Sequence, residues 1–354
     1  MKKSLIALAA LAASGVAMAQ SSVTLYGVLD TGVSYFKGDD SVYGLTKTGG
    51  NTNSRLGFRG VEDLGNGLKA TFDLEAGFNV DDGTGYLGKN GLNDTGLQFR
   101  RTSTVGLEGA FGTVRLGREL TASYRAVSRY DVFNDTGAGA SLAWNTTNTT
   151  YNPRVDNAIT YYTPVFSGFK AGLNYGFGEK QKARDSRYVG AGATYDNGPI
   201  SAGLGYERSN NVDAIPALNF SGFDLTTWQL GAAYNFGVAK LAGFYKDTKY
   251  KSLSFNDNVK FKTFGLGVSA PVGAAGEVRA SYNHYKVSDN NGKAQQVSLG
   301  YVHNLSKRTA LYGTYAYLKN KDGLDFQLNG AMAGAGLKNG EKQHGLQLGV
   351  RHAF

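Results

Sequence analysis

The stretch Leu68-Lys69-Ala70-Thr71-Phe72-Asp73-Leu74-Glu75-Ala76-Gly77-Phe78-Asn79-Val80 decides the reading of this chain. Apolar Leu68, Ala70, Phe72, Leu74, Ala76, Phe78 and Val80 alternate without a break with Lys69, Thr71, Asp73, Glu75, Gly77 and Asn79. A period of two is that of a β-strand, whose successive side chains point to opposite faces. One face of this strand is apolar and the other charged, so the fold follows from what the apolar face meets.

Composition narrows the choice. The 354 residues include 50 Gly, 22 Tyr and 19 Phe against 5 Pro and 3 Met, an aromatic-rich all-β profile. There is no cysteine, so stability rests on packing, strand pairing or a membrane rather than on disulfides. The chain opens MKKSLIALAALAASGVAMAQ. Basic Lys2 and Lys3, the apolar run Leu5 to Ala13 and the small-x-small pattern Ala17-Met18-Ala19 read as a signal peptide over residues 1–19, cleaved before Gln20. The mature chain, 20–354, is expected to work outside the cytoplasm as one domain. Losing Lys2 and Lys3 takes the formal charge from +9 to +7, and the remaining Lys and Arg are scattered, which argues against a nucleic-acid partner. Beyond the leader no run approaches the ~20 apolar residues of a membrane helix, so a membrane location requires a closed barrel.

Turn signals recur along the chain. Tight ones fall at 64–67, 109–112, 164–168, 196–199, 235–237, 271–276 and 304–308, and longer polar or Gly-rich connections at 39–52, 81–95, 120–154, 178–186, 209–223, 249–258, 288–293 and 320–342. Seven short and eight long connections join sixteen strands. Short turns at one end, long loops at the other and an even strand number predict a 16-stranded antiparallel transmembrane β-barrel. Alternation is clear in Val297-Leu299-Tyr301 and Leu346-Leu348-Val350, whereas 259–270 is expected to change phase near Thr263. Tyr161, Tyr162, Tyr175, Tyr206, Tyr234, Tyr245, Tyr282 and Tyr312 lie toward strand ends, as in interfacial aromatic girdles. A soluble core for all these strands would exceed what most domains attain.

Several motifs make the chain similar to a known family. Val23-Thr24-Leu25-Tyr26-Gly27, Ser54-Arg55-Leu56-Gly57-Phe58-Arg59-Gly60, Glu62-Asp63-Leu64-Gly65-Asn66-Gly67-Leu68-Lys69-Ala70, Val105-Gly106-Leu107, Phe111-Gly112-Thr113-Val114-Arg115-Leu116-Gly117-Arg118 and the terminal Phe354 resemble the general diffusion porins of Gram-negative outer membranes, particularly the proteobacterial anion-preferring type. The resemblance implies a homotrimer of barrels, each with a water-filled pore narrowed by an inward-folded third loop, here 120–154. It implies a multi-pass outer-membrane location, contact with lipid including lipopolysaccharide, and recognition of Phe354 by the barrel assembly machinery. It implies passive diffusion of small hydrophilic solutes and ions with a weak anion preference, no enzyme activity and no cofactor. A solute-specific binding channel of the same fold is the alternative, and a barrel enzyme or surface adhesin a more distant one.

Charge on the lipid face is costly, so strand charges are expected to face the lumen. Arg55 and Arg59 share a parity opposite to Leu56 and Phe58, and Asp73 and Glu75 are inward by the same rule. Arg100 and Arg101 must face opposite ways: periodicity with Leu97 and Phe99 sends Arg100 inward, whereas the resemblance implies Arg101, which is the preferred wall residue. The resemblance also implies Arg154 and Glu75 on the wall, with Asp131 and Asp135 facing them from the loop. The loop lacks the Pro-Glu-Phe-Gly-Gly core of enterobacterial members. The expected pore constriction is thus Arg55, Arg59, Glu75, Arg101, Asp131, Asp135 and Arg154, four cations to three anions before Arg125 and Arg129 are counted. Arg118 is expected to face outward in the trimer interface and to pair with a neighbour's Asp81 or Asp82.

Other motifs lead nowhere. Gly265-Leu266-Gly267-Val268-Ser269-Ala270 spells a loose dinucleotide fingerprint, but Pro271 and a turn follow where a helix is needed. The four histidines have no metal-ligand spacing, and the pairs Asp39-Asp40 and Asp81-Asp82 read as solvated loop acids.

Overall fold

A computed structural model describes residues 22–85, 96–144, 151–179, 186–212, 222–253, 258–288, 291–330 and 341–354. The expected signal peptide lies outside them. The strands are β1 Ser22–Lys37, β2 Ser41–Leu45, β3 Arg55–Gly65, β4 Leu68–Gly77, β5 Thr102–Gly109, β6 Gly112–Leu120, β7 Arg154–Tyr162, β8 Phe169–Gly176 and β9 Tyr188–Asn197. They continue as β10 Ile200–Val212, β11 Phe223–Asn235, β12 Lys240–Ser252, β13 Asn258–Val272, β14 Gly276–Val287, β15 Lys293–Asn304, β16 Thr309–Lys321 and β17 Lys342–Ala353.

Each strand pairs antiparallel with its neighbours, and β1 pairs with β17 from Val28↔Ala353 to Lys37↔His344, closing the sheet. Phe354 finishes the seam, its N–H donating to Gly27 O and Gly27 N–H to its own carbonyl, both at 3.1 Å. Closure leaves no unpaired edge, the condition for a sheet in lipid. Seventeen segments fill sixteen barrel positions, because β2 and β3 lie one after the other along the same side of β1. The connection expected over 39–52 is therefore not a plain loop. The chain turns at 38–40, runs back along β1 as β2, leaves the wall over 46–54 and rejoins it as β3.

The faces of the wall invert a soluble protein. Val23, Leu25, Val33, Val105, Leu116, Leu204, Trp228, Leu230, Leu299 and Leu348 are exposed on the outside, while Gln229, Lys246, Thr248, Gln296, Ser298, Asn320 and Gln347 are enclosed. An apolar exterior band over a polar interior is the transmembrane barrel pattern. The short turns all fall where expected, at one end. Tyr175, Tyr234 and Tyr282 face outward, but Tyr312 turns inward onto Asp30.

β13 keeps its phase through Thr263. Phe261, Thr263, Gly265 and Gly267 all face inward, opposite to Phe264, Leu266 and Val268. Phe261 gives the appearance of a break because its inner side is not wet: Leu324, Phe326 and Leu328, from the connection after β16, fold into the barrel and pack on it. The signal for a buried face is the segment's own alternation of Leu324, Phe326 and Leu328 with Asp325 and Gln327, inside the stretch expected as a loop over 320–342.

In its described residues, 121–144 and 151–153, the loop expected over 120–154 also enters the barrel. It begins with the short helix α1, Ala122–Val127, whose Thr121 side chain caps it by accepting the Tyr124 N–H at 3.2 Å. Gly192 and Gly203 on the wall let the helix backbone lie against them; a side chain at either would meet the Ala122 or Ala126 carbonyl. Wall amides fasten the loop across the lumen. Asn174 accepts from Ala122 N–H (2.5 Å), Gln347 from Ala138 N–H (2.7 Å), and Gln296 donates to Ala140 O (3.0 Å).

Candidate functional site

The alternation of β3 and β4 brings charged residues to one inner patch. Arg55 and Glu75 lie on paired strands with Nε–Oε2 at 3.3 Å. Arg101, just before β5, sets its Nε 2.6 Å from Glu75 Oε1 and its backbone N–H on Glu75 O at 3.0 Å. Glu75 thus holds two guanidinium groups at once. Arg154, at the start of β7, donates from Nε to Arg101 O at 3.0 Å. Two arginines thus share one carboxylate, and Arg154 joins them through the Arg101 carbonyl.

Arg59 faces the same interior four residues along β3, about 13 Å by strand rise. Its guanidinium sits 5.3 Å from the Tyr26 ring centroid, and the Tyr26 hydroxyl reaches both Asp73 Oδ1 (3.0 Å) and Glu75 Oε2 (3.2 Å). Tyr26 links Arg59 and Asp73 to the main cluster. Sequence reading misses it, although its even parity on β1, opposite to Val23 and Leu25, carries the signal.

The loop supplies Asp135. It is half-buried, its carboxyl is pushed up to about 6 by burial, and the charges of Arg154, Arg101 and Arg55 oppose that rise. Asp131 does not join the group. It is 3 % exposed, and its carboxylate accepts the N–H groups of Phe133 (3.0 Å) and Ser141 (2.8 Å), so it ties the loop to itself. Burial raises its carboxyl to about 6 as well. Two acids four apart look equivalent in the sequence. The turn over 131–136, with Asn134 and Asp135 at positive φ, separates them.

The other loop cations are matched by acids. Arg129 makes a two-pronged pair with Asp196, at 3.0 and 2.8 Å. Arg125 and Arg115 share buried Glu119, at 3.5 and 3.6 Å. Lys246 of β12, fully enclosed, donates to Ala143 O at 2.8 Å and places its ammonium 3.0 Å from the Tyr151 ring centroid and 4.7 Å from that of Trp144. An ammonium between two aromatic faces and a carbonyl is a latch on the loop.

Arg118 shares the parity of outward Leu116 and has two partners within its own chain. Nε donates to Arg100 O at 2.6 Å, and the guanidinium pairs with Asp156 of β7. Asp82 is engaged by Thr84, through its N–H (2.9 Å) and hydroxyl (2.6 Å). Among the described residues no group of three or more His, Cys, Asp or Glu is arranged to hold a metal ion.

A closed barrel crossed by a fastened loop, with cations massed opposite the loop's acid, is a narrowed water path. The Gram-negative porin family model matches residues 5–323. This chain belongs to the Gram-negative porin family. It is a porin of the outer membrane, a passive diffusion channel and not an enzyme. It is 49 % identical over 368 residues to outer membrane porin protein 32 of Delftia acidovorans, covering 100 % of both chains. It is 34 % identical to an outer membrane porin protein of Bordetella pertussis, covering 90 % of this chain and 95 % of that one. Its structure matches that of the anion-selective porin from Comamonas acidovorans with a TM-score of 0.84 and 46 % identity, over 95 % of this porin and 100 % of the other.

Proposed function

We propose that this porin is a weakly anion-preferring general diffusion channel whose constriction is formed by Arg55, Arg101 and Arg154 on the wall, Glu75 among them and Asp135 opposite. The observation that carries this reading is that Glu75 pairs with both Arg55 and Arg101 and so neutralises one of their two charges, while Arg154 adds a third cation through the Arg101 carbonyl. With Arg59 and Asp73 a step nearer the short-turn end and Asp131 enclosed in the loop, the inner count remains four cations to three anions. Cations on one wall and a carboxylate on the facing loop set up a transverse field that gives anions and cations separate lanes. Arginine suits the wall because it stays charged at any working pH.

The working unit is a trimer. The exterior ion pair Arg118–Asp156 supports a protein-covered surface there, since such charge facing lipid is costly. The tyrosines that face outward suit contact with lipid headgroups, and Phe354 in the seam suits recognition during barrel assembly. Planar-bilayer recording of the purified protein tests the reading. Ohmic conductance closing in three equal steps, with chloride favoured over potassium, is expected. Saturable block by one solute class points instead to a binding channel.

A further inference from the structure

The segment 46–54 leaves the barrel wall between β2 and β3 and ends up inside the lumen, although neither strand requires the detour. What holds it there is Asp30 of β1, which is 0 % exposed. Its Oδ1 accepts the Gly50 N–H (3.0 Å) and the Tyr312 hydroxyl (2.7 Å), and its Oδ2 accepts the N–H groups of Asn51 (3.2 Å) and Thr52 (2.8 Å). Three successive backbone N–H groups converging on one carboxylate form an anion nest, here filled by a side chain of the protein itself. Ser54 closes the base, its hydroxyl donating to Asp30 O and accepting the Asp30 N–H, both at 3.0 Å. Gly49 has φ +124, a conformation that makes the turn into the nest and that L side chains rarely adopt.

The segment then touches both sides of the charged cluster. Asn53 O accepts from Arg55 Nη1 at 3.0 Å, and the Thr52 hydroxyl lies 3.4 Å from the same nitrogen. Asn53 Nδ2 donates to the Thr136 hydroxyl at 3.0 Å, one residue from Asp135. Gly137 passes so close that a side chain there would meet Gly50 O. One strap therefore fixes the wall arginine and the loop acid relative to each other.

We propose that Asp30 is a positioning residue for ion selectivity, acting through the 46–54 strap to set the distance between Arg55 and the Asp135 turn. This rests on the constriction proposed above. Asp30→Asn keeps the size of the side chain but removes its charge and replaces one acceptor by a donor aimed at N–H groups. The strap loosens, Arg55 loses its fixed carbonyl, and anions lose their ordered lane. The sign of the effect is informative. Removing a buried negative charge, by itself, strengthens anion preference, whereas loosening the strap weakens it.

The test is reversal potential and single-channel conductance in a KCl gradient for Asp30→Asn, Tyr312→Phe and Asn53→Ala, each first checked for heat-modifiable migration as a folded barrel. Asp30→Asn is expected to move the reversal potential toward zero and raise conductance, with Tyr312→Phe and Asn53→Ala moving both the same way by less. In an Arg55→Gln background, Asp30→Asn is expected to add no further shift. If Asp30→Asn does not fold, Asn53→Ala carries the test, because it cuts the strap from the loop and leaves the nest intact. A shift toward stronger anion preference, or no shift in any of the three, overturns the proposal. Absence of an effect of Arg55→Gln alone would instead count against the constriction itself.

Discussion

Arg101 Nε lies 2.6 Å from Glu75 Oε1, and the Arg101 backbone N–H donates to the Glu75 carbonyl at 3.0 Å. Side chain and main chain of one arginine are both pinned to one glutamate, which also pairs with Arg55. Glu75 is thus the counter-charge that keeps the arginine wall from being purely cationic. Glu75→Gln is expected to raise the chloride-to-potassium permeability ratio by up to about thirtyfold, because one unit charge about 4 Å away in water is worth about 1 kcal/mol, gained by chloride and lost by potassium. Reversal potentials in a KCl gradient measure this, and an unchanged ratio places Glu75 outside the ion path.

The neighbouring arginines separate cleanly. Arg101→Gln is expected to lower anion preference, since Arg101 stands with Glu75 and Arg154. Arg100→Gln is expected to leave it alone, because adjacent residues of an extended chain point to opposite sides and Arg101 takes the inward one. Equal shifts in the two variants contradict an inward Arg101 beside an outward Arg100.

Selectivity is expected to depend on pH through Asp135. Its carboxyl, pushed up to about 6 by burial, is charged above that pH and neutral below it. As pH falls from about 8 to about 5 the loop loses a negative charge opposite Arg55, Arg101 and Arg154, so anion preference rises with a midpoint near the raised value. Asp135→Asn is expected to hold the low-pH value throughout. Asp131, raised to a similar value, is enclosed in the loop, so Asp131→Asn is expected to leave the titration in place.

Lys246 gives a test of the latch. Lys246→Met keeps the bulk but leaves the Ala143 carbonyl without its donor and removes the ammonium from between Tyr151 and Trp144. An unpaired buried acceptor costs about 1–3 kcal/mol. The loop is expected to detach more readily, seen as closure at lower voltage and noisier open channels, while the barrel still migrates as folded. Gating identical to that of the parent shows that the wall amides alone suffice.

The wall is legible in the sequence because strand parity is strict. Arg55, Arg59, Asp73 and Glu75 face inward as a period of two requires, and the short turns lie where Gly, Asn and Pro announce them. Arg101 is legible only through the family's motif, since periodicity from Leu97 and Phe99 points to Arg100. The contents of the lumen are less readable. An inward segment obeys contacts with the far wall, which have no local period: Asp131 and Asp135 differ by one turn of the loop, Phe261 answers to Phe326, and 46–54 answers to Asp30. The charged pairs that neutralise Arg125 and Arg129 depend on Glu119 and Asp196, with Asp196 67 residues from Arg129.

The central claim is that Arg55, Arg101 and Arg154 make the pore anion-preferring. Its most direct test is the reversal potential of the parent porin and of the triple variant Arg55→Gln, Arg101→Gln, Arg154→Gln in the same KCl gradient. Chloride selectivity is expected in the parent and potassium selectivity in the variant, where Glu75, Asp73 and Asp135 outnumber the remaining Arg59. A parent that favours potassium, or a variant that keeps the parent's chloride preference, contradicts it.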